Sequence, residues 1–276
     1  MIKIGSHISF NKKNGYLIGA VEESINNGAN CMMIYLGAPQ TSRRASVNDY
    51  NIEEYKTKYS HLIKPEDIII HAPYITNPAN IEKHEFAINF LIEEIERMNS
   101  FGAKYLVLHP GAYTKFAKQD AIKQLITSLK TILDKTTGVD ILLETMSGKG
   151  TEIGDNFEDL KHILDKVNED RLGICFDTCH VWDSGIDIRD YDNVIKLLKE
   201  NDLFKYIKVF HINDSKNELG SRKDRHANMK QGYIEFESLK KIVNSKDFTN
   251  IPMILETPWV DDKPIYKEEI KLLLDK

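Results

Sequence analysis

Apolar residues in this chain occur in eight short runs, each followed by a longer stretch in which apolar positions recur every three or four residues. Short apolar runs are typical of buried strands, and a period near 3.6 is typical of amphipathic helices. The pattern predicts strands near residues 2–8, 31–36, 67–71, 104–109, 139–144, 172–177, 206–211 and 252–256. The segment 85–95 illustrates the intervening helices.

This alternation predicts an α/β fold, because parallel strands require helical crossover connections. A closed barrel and a doubly wound open sheet both satisfy the pattern. The first strand, however, is not followed by the glycine-rich phosphate loop of dinucleotide-binding open sheets. Since no linker-like or low-complexity stretch divides the chain, we predict a (β/α)8 TIM barrel that forms a single domain over residues 1–276.

The composition indicates a soluble globular protein and argues against a membrane protein or one with a generally basic surface. With 41% hydrophobic and 29% charged residues, the chain is typical of a soluble globular protein. Its formal net charge of −5 argues against a general basic surface, so any contact with nucleic acid must be local. The start lacks the features of a signal peptide, and no apolar run reaches membrane-spanning length. We therefore expect no membrane contact and an intracellular location, cytoplasmic in a bacterium and nuclear or virion-associated in a eukaryote or virus.

Three cysteines, Cys31, Cys175 and Cys179, lie in apolar, strand-like segments of the sequence. Their odd number makes a disulfide framework improbable, so we interpret them as reduced, buried thiols. A zinc site built on Cys175 and Cys179 is disfavoured, because their spacing is not that of a zinc knuckle.

Six of the eight predicted strands end in a residue type that binds metals: His71, His109, Glu144, Asp177, His211 and Glu256. In a barrel, the carboxyl ends of the strands converge on one mouth, where active sites lie. A single strand-end histidine is more often structural. Three imidazoles and three carboxylates in one cleft would instead carry a large desolvation penalty unless divalent cations compensated them.

Two further segments add candidate ligands: His180 follows Asp177 by three residues, and Asp224 and His226 form an Asp-x-His spacing. The resulting nine ligands mix nitrogen and oxygen, which suits zinc, with manganese or iron possible in one site. Nine are too many for one ion and suit two or three ions with a bridging carboxylate. Such clusters are suited to phosphodiester hydrolysis, in which metal ions polarise phosphoryl oxygens and activate water.

The other histidines carry weaker signals. His7 lies at the end of the first strand, near the same mouth, and both a supporting role beside the ligands and a purely structural role remain open. His61, His84 and His162 fall in helical or loop surroundings and are interpreted as surface residues.

Several motifs together resemble the endonuclease IV family of apurinic/apyrimidinic endonucleases, and the resemblance runs through nearly the whole chain. The motifs are His71-Ala72-Pro73-Tyr74, Leu108-His109-Pro110-Gly111, Leu143-Glu144-Thr145 with Gly148-Lys149-Gly150, Cys175-Phe176-Asp177-Thr178-Cys179-His180, His211-Ile212-Asn213-Asp214-Ser215-Lys216 and Gly220-Ser221-Arg222-Lys223-Asp224-Arg225-His226.

The resemblance implies three zinc ions per chain. The implied sets are His71, His109 and Glu144; Glu144, Asp177, His211 and Glu256; and His180, Asp224 and His226. It implies cleavage of the phosphodiester 5′ to an abasic site in double-stranded DNA, leaving a 3′-hydroxyl and a 5′-deoxyribose phosphate, and action on blocked 3′ ends. Glu144 would bridge two ions and Glu256 would orient the nucleophile. We also expect a monomer.

The resemblance further implies that an abasic nucleotide is flipped out of bent DNA. Tyr74 matches a residue with that role, and Ile75 is a candidate apolar wedge. In the segment 37–44, Gln40, Arg43 and Arg44 are candidate DNA contacts, and for the two arginines a solvated loop is the alternative. Arg225 is also assigned to DNA.

One stretch departs from the family pattern. Beyond His226 the family usually has two closely spaced glycines, whereas residues 228–232 retain only Gly232. The departure concerns the shape of this loop and its DNA contacts, not the ligands.

The main alternative is a barrel sugar isomerase or epimerase of the xylose isomerase type, which holds one or two metal ions. The third ligand set and an aromatic residue at Tyr74 favour the nuclease. A barrel that only binds DNA or stores zinc is a weaker alternative, because such a protein would have lost some of the nine ligands.

Overall fold

Eight parallel strands form the centre of the molecule in the computed structural model, which describes residues 1–275. They are β1 (Lys3–Ser6), β2 (Met32–Ile34), β3 (Ile68–His71), β4 (Tyr105–Leu108), β5 (Asp140–Glu144), β6 (Leu172–Asp177), β7 (Ile207–His211) and β10 (Pro252–Leu255). Two short strands, β8 (Asp214–Ser215) and β9 (His226–Ala227), pair antiparallel in the loop after β7.

The hydrogen-bonded order of the large sheet is β1-β10-β7-β6-β5-β4-β3-β2. A parallel bridge between His7 and Met33 brings the two end strands side by side and closes the ring. The predicted (β/α)8 barrel is therefore confirmed, and each predicted strand boundary lies within two residues of the observed one.

Helices surround the barrel: α1 (Leu17–Asn26), α2 (Ile52–Lys58), α3 (His84–Phe101), α4 (Lys118–Lys135), α5 (Phe157–Val167), α6 (Thr178–Ser184), α7 (Tyr191–Glu200), α8 (Phe236–Val243) and α9 (Tyr266–Leu274). Each long helix buries one apolar face; in α4 that face includes Leu125, Leu129 and Ile132. Within the part of the chain that the structure describes, no helix is both long and apolar enough to span a bilayer.

The barrel interior is filled by a layer of small and medium apolar side chains, all completely buried: Cys31, Met33, Ile69, Val107, Leu142, Cys175, Val209 and Ile254. The three cysteines are buried and unpaired, as the sequence predicts. Because strand side chains alternate between the two faces, the next inward-facing residue stands two positions later. On six strands that residue is a predicted metal ligand, so the ligands form a second layer at the mouth.

In the loop after β7, a residue other than glycine occupies a backbone conformation that glycine favours. Lys230 adopts a left-handed backbone conformation, with φ of 69°, where L-residues other than glycine are disfavoured. Nearby, the buried carboxylate of Asp214 accepts hydrogen bonds from the backbone nitrogens of Gly232 and Ile234, at 2.8 and 2.9 Å. These contacts hold the turn at residues 228–234 in place.

Candidate metal centre

Glu144, at the end of β5, lies at the centre of the ligand layer and is buried. One of its oxygens, Oε2, lies 3.1 Å from Nε2 of both His71 and His109. The other, Oε1, lies 3.1 Å from Nδ1 of His211 and 3.3 Å from Nδ1 of His180. One carboxylate thus faces four imidazoles, which is the arrangement that a bridging ligand requires.

A second group forms beside it from Glu144, Asp177, His211 and Glu256, whose ligand atoms all lie within 4.8 Å of one another. Here Nδ1 of His211 lies 2.9 Å from Oε2 of Glu256 and 3.6 Å from Oδ2 of Asp177. This group coincides with the second ligand set implied by the sequence resemblance.

The third group consists of His180, Asp224 and His226, within the same 4.8 Å limit. Oδ1 of Asp224 lies 3.1 Å from Nε2 of His180 and 3.8 Å from Nε2 of His226. The β8/β9 hairpin makes this group possible, because it folds residues that are 44 positions beyond His180 back over α6.

The first predicted set is grouped differently. The atoms within 4.8 Å of one another belong to His71, Glu144 and His211, whereas His109 is linked to the cluster through Glu144. A further group, Asp177, Cys179 and His226, places a thiol beside two predicted ligands. All nine predicted ligands nevertheless meet in one continuous cluster at the mouth of the barrel.

The ring orientation of three histidines is fixed by the backbone. In each, Nδ1 donates to a carbonyl oxygen: His71 to Ala72 at 2.7 Å, His180 to Thr145 at 2.9 Å and His226 to Glu256 at 3.2 Å. A carbonyl oxygen can only accept, so Nδ1 carries the proton and Nε2 is turned toward the cluster. Histidines that bind metals are held in this way.

The spacing of the donor atoms also fits metal ions. Nε2 of His226, which faces the cluster, is buried without a hydrogen-bond partner, and this is uncommon for buried polar atoms. Nε2 of His226 lies 3.7 Å from Oδ2 of Asp177, beyond hydrogen-bonding distance. Two ligands of one zinc ion, each about 2 Å from it, are roughly 3 to 4 Å apart. The nitrogen and oxygen donors of the cluster therefore fit zinc in both type and spacing.

Contacts between imidazoles and carboxylates in the cluster shift their pKa values toward the charged forms. Burial lowers the pKa of His180, but the carboxylates of Asp177 and Asp224 outweigh burial and hold it well above the ordinary value. Burial likewise lowers the pKa of His211, yet Cys175 together with the carboxylates of Glu256 and Glu144 raises it well above the ordinary value. Burial raises the pKa of Glu144, but His211 and the other imidazoles hold it well below its usual range.

The two carboxylates at the edges of the cluster are affected in the same direction. Against the effect of burial, His180 lowers the pKa of Asp224 to about 2. His211 similarly lowers the pKa of Glu256 far below its ordinary value. These pKa shifts favour the imidazolium forms of His180 and His211 and the ionised forms of Glu144, Asp224 and Glu256.

Most predicted DNA contacts lie on the outer rim of the mouth. Tyr74 follows β3 and is 53% exposed, which is unusual for an aromatic side chain. Gln40, Arg43 and Arg225 are exposed, and Ile75 is half-buried. These positions are accessible to a large ligand that approaches the mouth.

Arg44 requires a correction. Its side chain is only 2% exposed, its Nε lies 3.0 Å from both oxygens of the buried Glu94 carboxylate, and its guanidinium packs over Phe90. Its Nη1 also donates to the carbonyl oxygens of Thr41 and Arg43. A guanidinium enclosed by these partners neither contacts DNA nor forms part of a solvated loop. Arg44 fixes the loop that presents Gln40 and Arg43.

Sequence reasoning missed Tyr35 and left His7 open. The edge of His7 meets Tyr35 at 5.1 Å between ring centroids, and Tyr35 packs against His71 at 4.9 Å. Both residues occupy the ligand layer on the two strands that lack a predicted ligand. Tyr35 stands two positions after the interior residue Met33, so the alternation of strand side chains could have identified it.

The mouth opens into a cavity of about 430 Å³ next to the ligand cluster. Its lining includes Tyr74, Asn77, His109, Lys149 and Asp224. Lys149, which the sequence showed only as part of a motif, extends its Nζ to within 3.7 Å of Oδ2 of Asp224. Further exposed aromatic residues, Tyr233 and Trp259, lie in the loops after β7 and β10. No sequence pattern singled them out, because a loop residue has no periodic signal.

Comparisons with known proteins agree with this architecture. A family model described as a xylose isomerase-like TIM barrel matches residues 21–276. The chain is 57% identical to a protein named probable endonuclease 4 from Mycoplasmopsis agalactiae, over 100% of this chain and 99% of the relative. The crystal structure of endonuclease IV from Thermus thermophilus has a TM-score of 0.84 at 26% identity, covering 98% of this chain and 97% of that one.

A D-tagatose 3-epimerase-like protein also superposes, with a TM-score of 0.73 over 99% of this chain and 97% of that one. Its sequence identity is 21%, so the likeness shows the shared fold alone. Identity of 57% along the whole chain to the probable endonuclease 4 of M. agalactiae decides between the two kinds of barrel. The motif resemblance is thereby confirmed: the chain is an enzyme of the endonuclease 4 family, within the xylose isomerase-like TIM barrels.

Proposed function

We propose that this enzyme is a zinc-dependent apurinic/apyrimidinic endonuclease that hydrolyses the phosphodiester 5′ to an abasic site in double-stranded DNA, leaving a 3′-hydroxyl and a 5′-deoxyribose phosphate. The observation that carries the proposal is the third ligand group of His180, Asp224 and His226, placed beside the Glu144 cluster in one mouth. A sugar isomerase that holds one or two ions has no evident use for this group.

Three ions would be held by the ligand groups described above, with Glu144 shared between two of them. When bound, they would polarise the phosphoryl oxygens, activate water and stabilise the leaving oxygen. The cluster itself supplies rigid orientation, since backbone carbonyls hold three imidazoles in place. The Glu256 side chain is 15% exposed at the edge of the cluster, where its carboxylate can orient the attacking water.

DNA would be held by the rim of the mouth. The loop between β7 and α8 carries five exposed cations, Lys216, Arg222, Lys223, Arg225 and Lys230, but only two exposed anions, Glu218 and Glu235. The chain as a whole has a net charge of −5, so the positive charge is local, as phosphate binding requires. Arg43 and Lys149 would add to this field, and Tyr74 is free to stack against an unpaired base or sugar.

The deciding experiment uses a duplex with one abasic site and an otherwise identical intact duplex. We expect incision of the abasic strand only, loss of incision after removal of metal with a strong chelator, and recovery on adding zinc. Mass analysis of the products should show a 3′-hydroxyl and a 5′-deoxyribose phosphate. Zinc-loaded protein that leaves the abasic duplex intact would refute the proposal.

The preference for abasic over intact DNA tests the role of the rim separately from that of the metal cluster. We expect Tyr74→Ala to reduce the preference for abasic over intact DNA without changing zinc content, because Tyr74 is exposed and belongs to none of the ligand groups among the described residues. Loss of zinc from this variant would contradict its assignment to DNA.

Several finer features belong to the same proposal. Removal of blocking groups from 3′ ends would use the same cluster, and manganese or iron could replace zinc in one site, since nitrogen and oxygen donors accept all three. A monomeric state and an intracellular location remain predictions. The three buried, unpaired thiols are in keeping with a reducing compartment.

A further inference from the structure

We propose that Asp183 is the positioning residue of the third metal group, an inference that rests on the proposed metal centre. Asp183 lies in α6, three residues after His180, and its side chain is completely buried. It belongs to none of the ligand groups among the described residues. Residues three apart on a helix share one face, so Asp183 and His180 lie one above the other.

The carboxylate of Asp183 gathers donors from the loop that carries Asp224. Oδ1 accepts a hydrogen bond from Oγ of Ser215 at 2.7 Å. Oδ2 accepts from the backbone nitrogen of Asp224 at 2.8 Å, from that of Lys223 at 3.3 Å and from Nδ2 of Asn217 at 3.3 Å. A single carboxylate thus links the backbone of Asp224 to α6, the helix that carries His180.

The backbone of α6 adds two contacts to the same loop. The nitrogen of Gly220 donates to the carbonyl oxygen of Trp182 at 3.1 Å, and that of Arg222 donates to the carbonyl oxygen of Asp183 at 3.0 Å. The loop is therefore docked on the end of α6 at several points between Asn217 and Asp224, and the buried Asp183 side chain is one of its anchors.

Asp183 obtains no charge partner for this role. Within residues 1–275, no side-chain nitrogen of lysine, arginine or histidine lies within 4.0 Å of its carboxylate, since Asp183 takes part in none of the ion pairs. A buried carboxylate without a cation must be stabilised by hydrogen-bond donors. Opening of the loop would remove these donors, so the charge of Asp183 favours the docked loop.

The docked loop also holds strained backbone. Arg222 and Asp224 both have φ of 55°, in the left-handed region. Residues other than glycine are disfavoured in this conformation, which persists only where the surroundings enforce it. Without the Asp183 carboxylate, the loop can relax and carry Asp224 away from His180, which it now approaches to 3.1 Å. The ligands at the ends of the barrel strands would not be affected.

The test compares Asp183→Ala with Asp183→Asn. An asparagine can still accept from the backbone nitrogens through its amide oxygen and can donate to Oγ of Ser215, whereas alanine can do neither. Asp187→Ala is the matched control, because Asp187 lies four residues further along and pairs with Arg189 on the surface. Zinc bound per chain is measured by equilibrium dialysis, and amide hydrogen exchange is measured on the metal-free proteins.

We expect Asp183→Ala to weaken binding of one zinc ion about 10- to 100-fold and to accelerate exchange at the amides of Lys223 and Asp224. Asp183→Asn should retain the ion, and the control should match wild type. Should Asp183→Ala not fold, Asp183→Ser, whose cavity admits water, takes its place in both assays.

Unchanged zinc affinity and unchanged exchange in the alanine or serine variant would overturn the proposal. So would equal loss of zinc in the alanine and asparagine variants. If wild-type protein bound no zinc, the proposed function would fail, whereas exchange in the metal-free proteins would still decide whether Asp183 holds the loop.

Discussion

Two layers inside the barrel, only two residues apart along each strand, differ completely in chemistry. The lower layer consists of apolar side chains such as Leu142 and Val209. The upper layer contains Glu144, His211 and the other candidate ligands at the strand ends. Two residues of strand span roughly 6 to 7 Å. Within that distance the interior changes from a close-packed core to a charged cluster.

The difference shows how the barrel separates stability from chemistry. Buried apolar side chains in the lower layer stabilise the fold through the hydrophobic effect and close packing. The upper layer buries polar groups that destabilise the fold unless they are paired or hold ions. Because the two layers rest on the same strands, the lower layer gives the upper one a rigid support.

Substitution of Glu144 tests the upper layer and has the largest expected effect. Glu144→Gln should reduce cleavage of an abasic duplex about a thousandfold or more, because the bridging charge among four imidazoles is lost. Steady-state cleavage rates and zinc content would be measured, with circular dichroism as the test of folding. Near-normal turnover would contradict the bridging role.

Substitution of Leu142, two residues earlier on the same strand, tests the lower layer. Leu142→Ala should lower the free energy of unfolding by about 2 to 5 kcal/mol, since it leaves a cavity in a completely buried site. The activity per folded molecule should stay close to that of wild type. Urea unfolding monitored by fluorescence would measure the free energy of unfolding, and the cleavage assay would measure the activity. A loss of activity comparable to that of Glu144→Gln would show that the layers are not separable.

Protons and metal ions compete for the same imidazoles and carboxylates in the upper layer. The stability of the metal-free protein and that of the zinc-loaded protein should therefore depend differently on pH. In the metal-free protein, the raised pKa values of His180 and His211 provide stability that is complete below about pH 6.5 and is lost as pH rises through the raised values. The lowered pKa values of Glu144 and Glu256 provide stability above about pH 4.5 that is lost in acid.

The pairs of imidazolium and carboxylate groups should therefore contribute most to the stability of the metal-free protein between about pH 4.5 and 6.5. Zinc binding requires neutral imidazoles, so its affinity should rise about tenfold per pH unit for each proton displaced. Thermal unfolding with and without zinc, from about pH 5 to 8, would measure both trends. Stabilisation by zinc that does not grow with pH would contradict this account of the cluster.

Substitution of Tyr35 tests the part of the upper layer that lacks candidate ligands. Its expected effect is the smallest. Tyr35→Ala should weaken zinc binding about tenfold, because the aromatic support of His71 is removed. Tyr35→Phe retains the ring and should match wild type. Competition with a chromophoric zinc chelator would measure the affinities, and equal weakening in both variants would assign the effect to the hydroxyl group instead.

Much of the fold and of the candidate site could be predicted from the sequence. The period of apolar residues located all eight barrel strands, because strand and helix differ in periodicity. The strand-end positions of residues such as His71 and Glu256 located the mouth, since all parallel strands of a barrel end on the same side. The Asp-x-His spacing, and then the motif resemblance, identified candidate ligands such as Asp224, which no strand pattern marks.

Other features were decided only by the tertiary structure. Arg44 and Arg43 are adjacent and chemically alike in sequence, but the position of Glu94 in α3 buries one and leaves the other exposed. Asp183 is an ordinary acidic residue until the loop after β7 folds over it. Local periodicity follows from the backbone geometry of single segments, and the sequence alone determines it. The partner of a side chain depends on distant segments that meet only in the folded barrel.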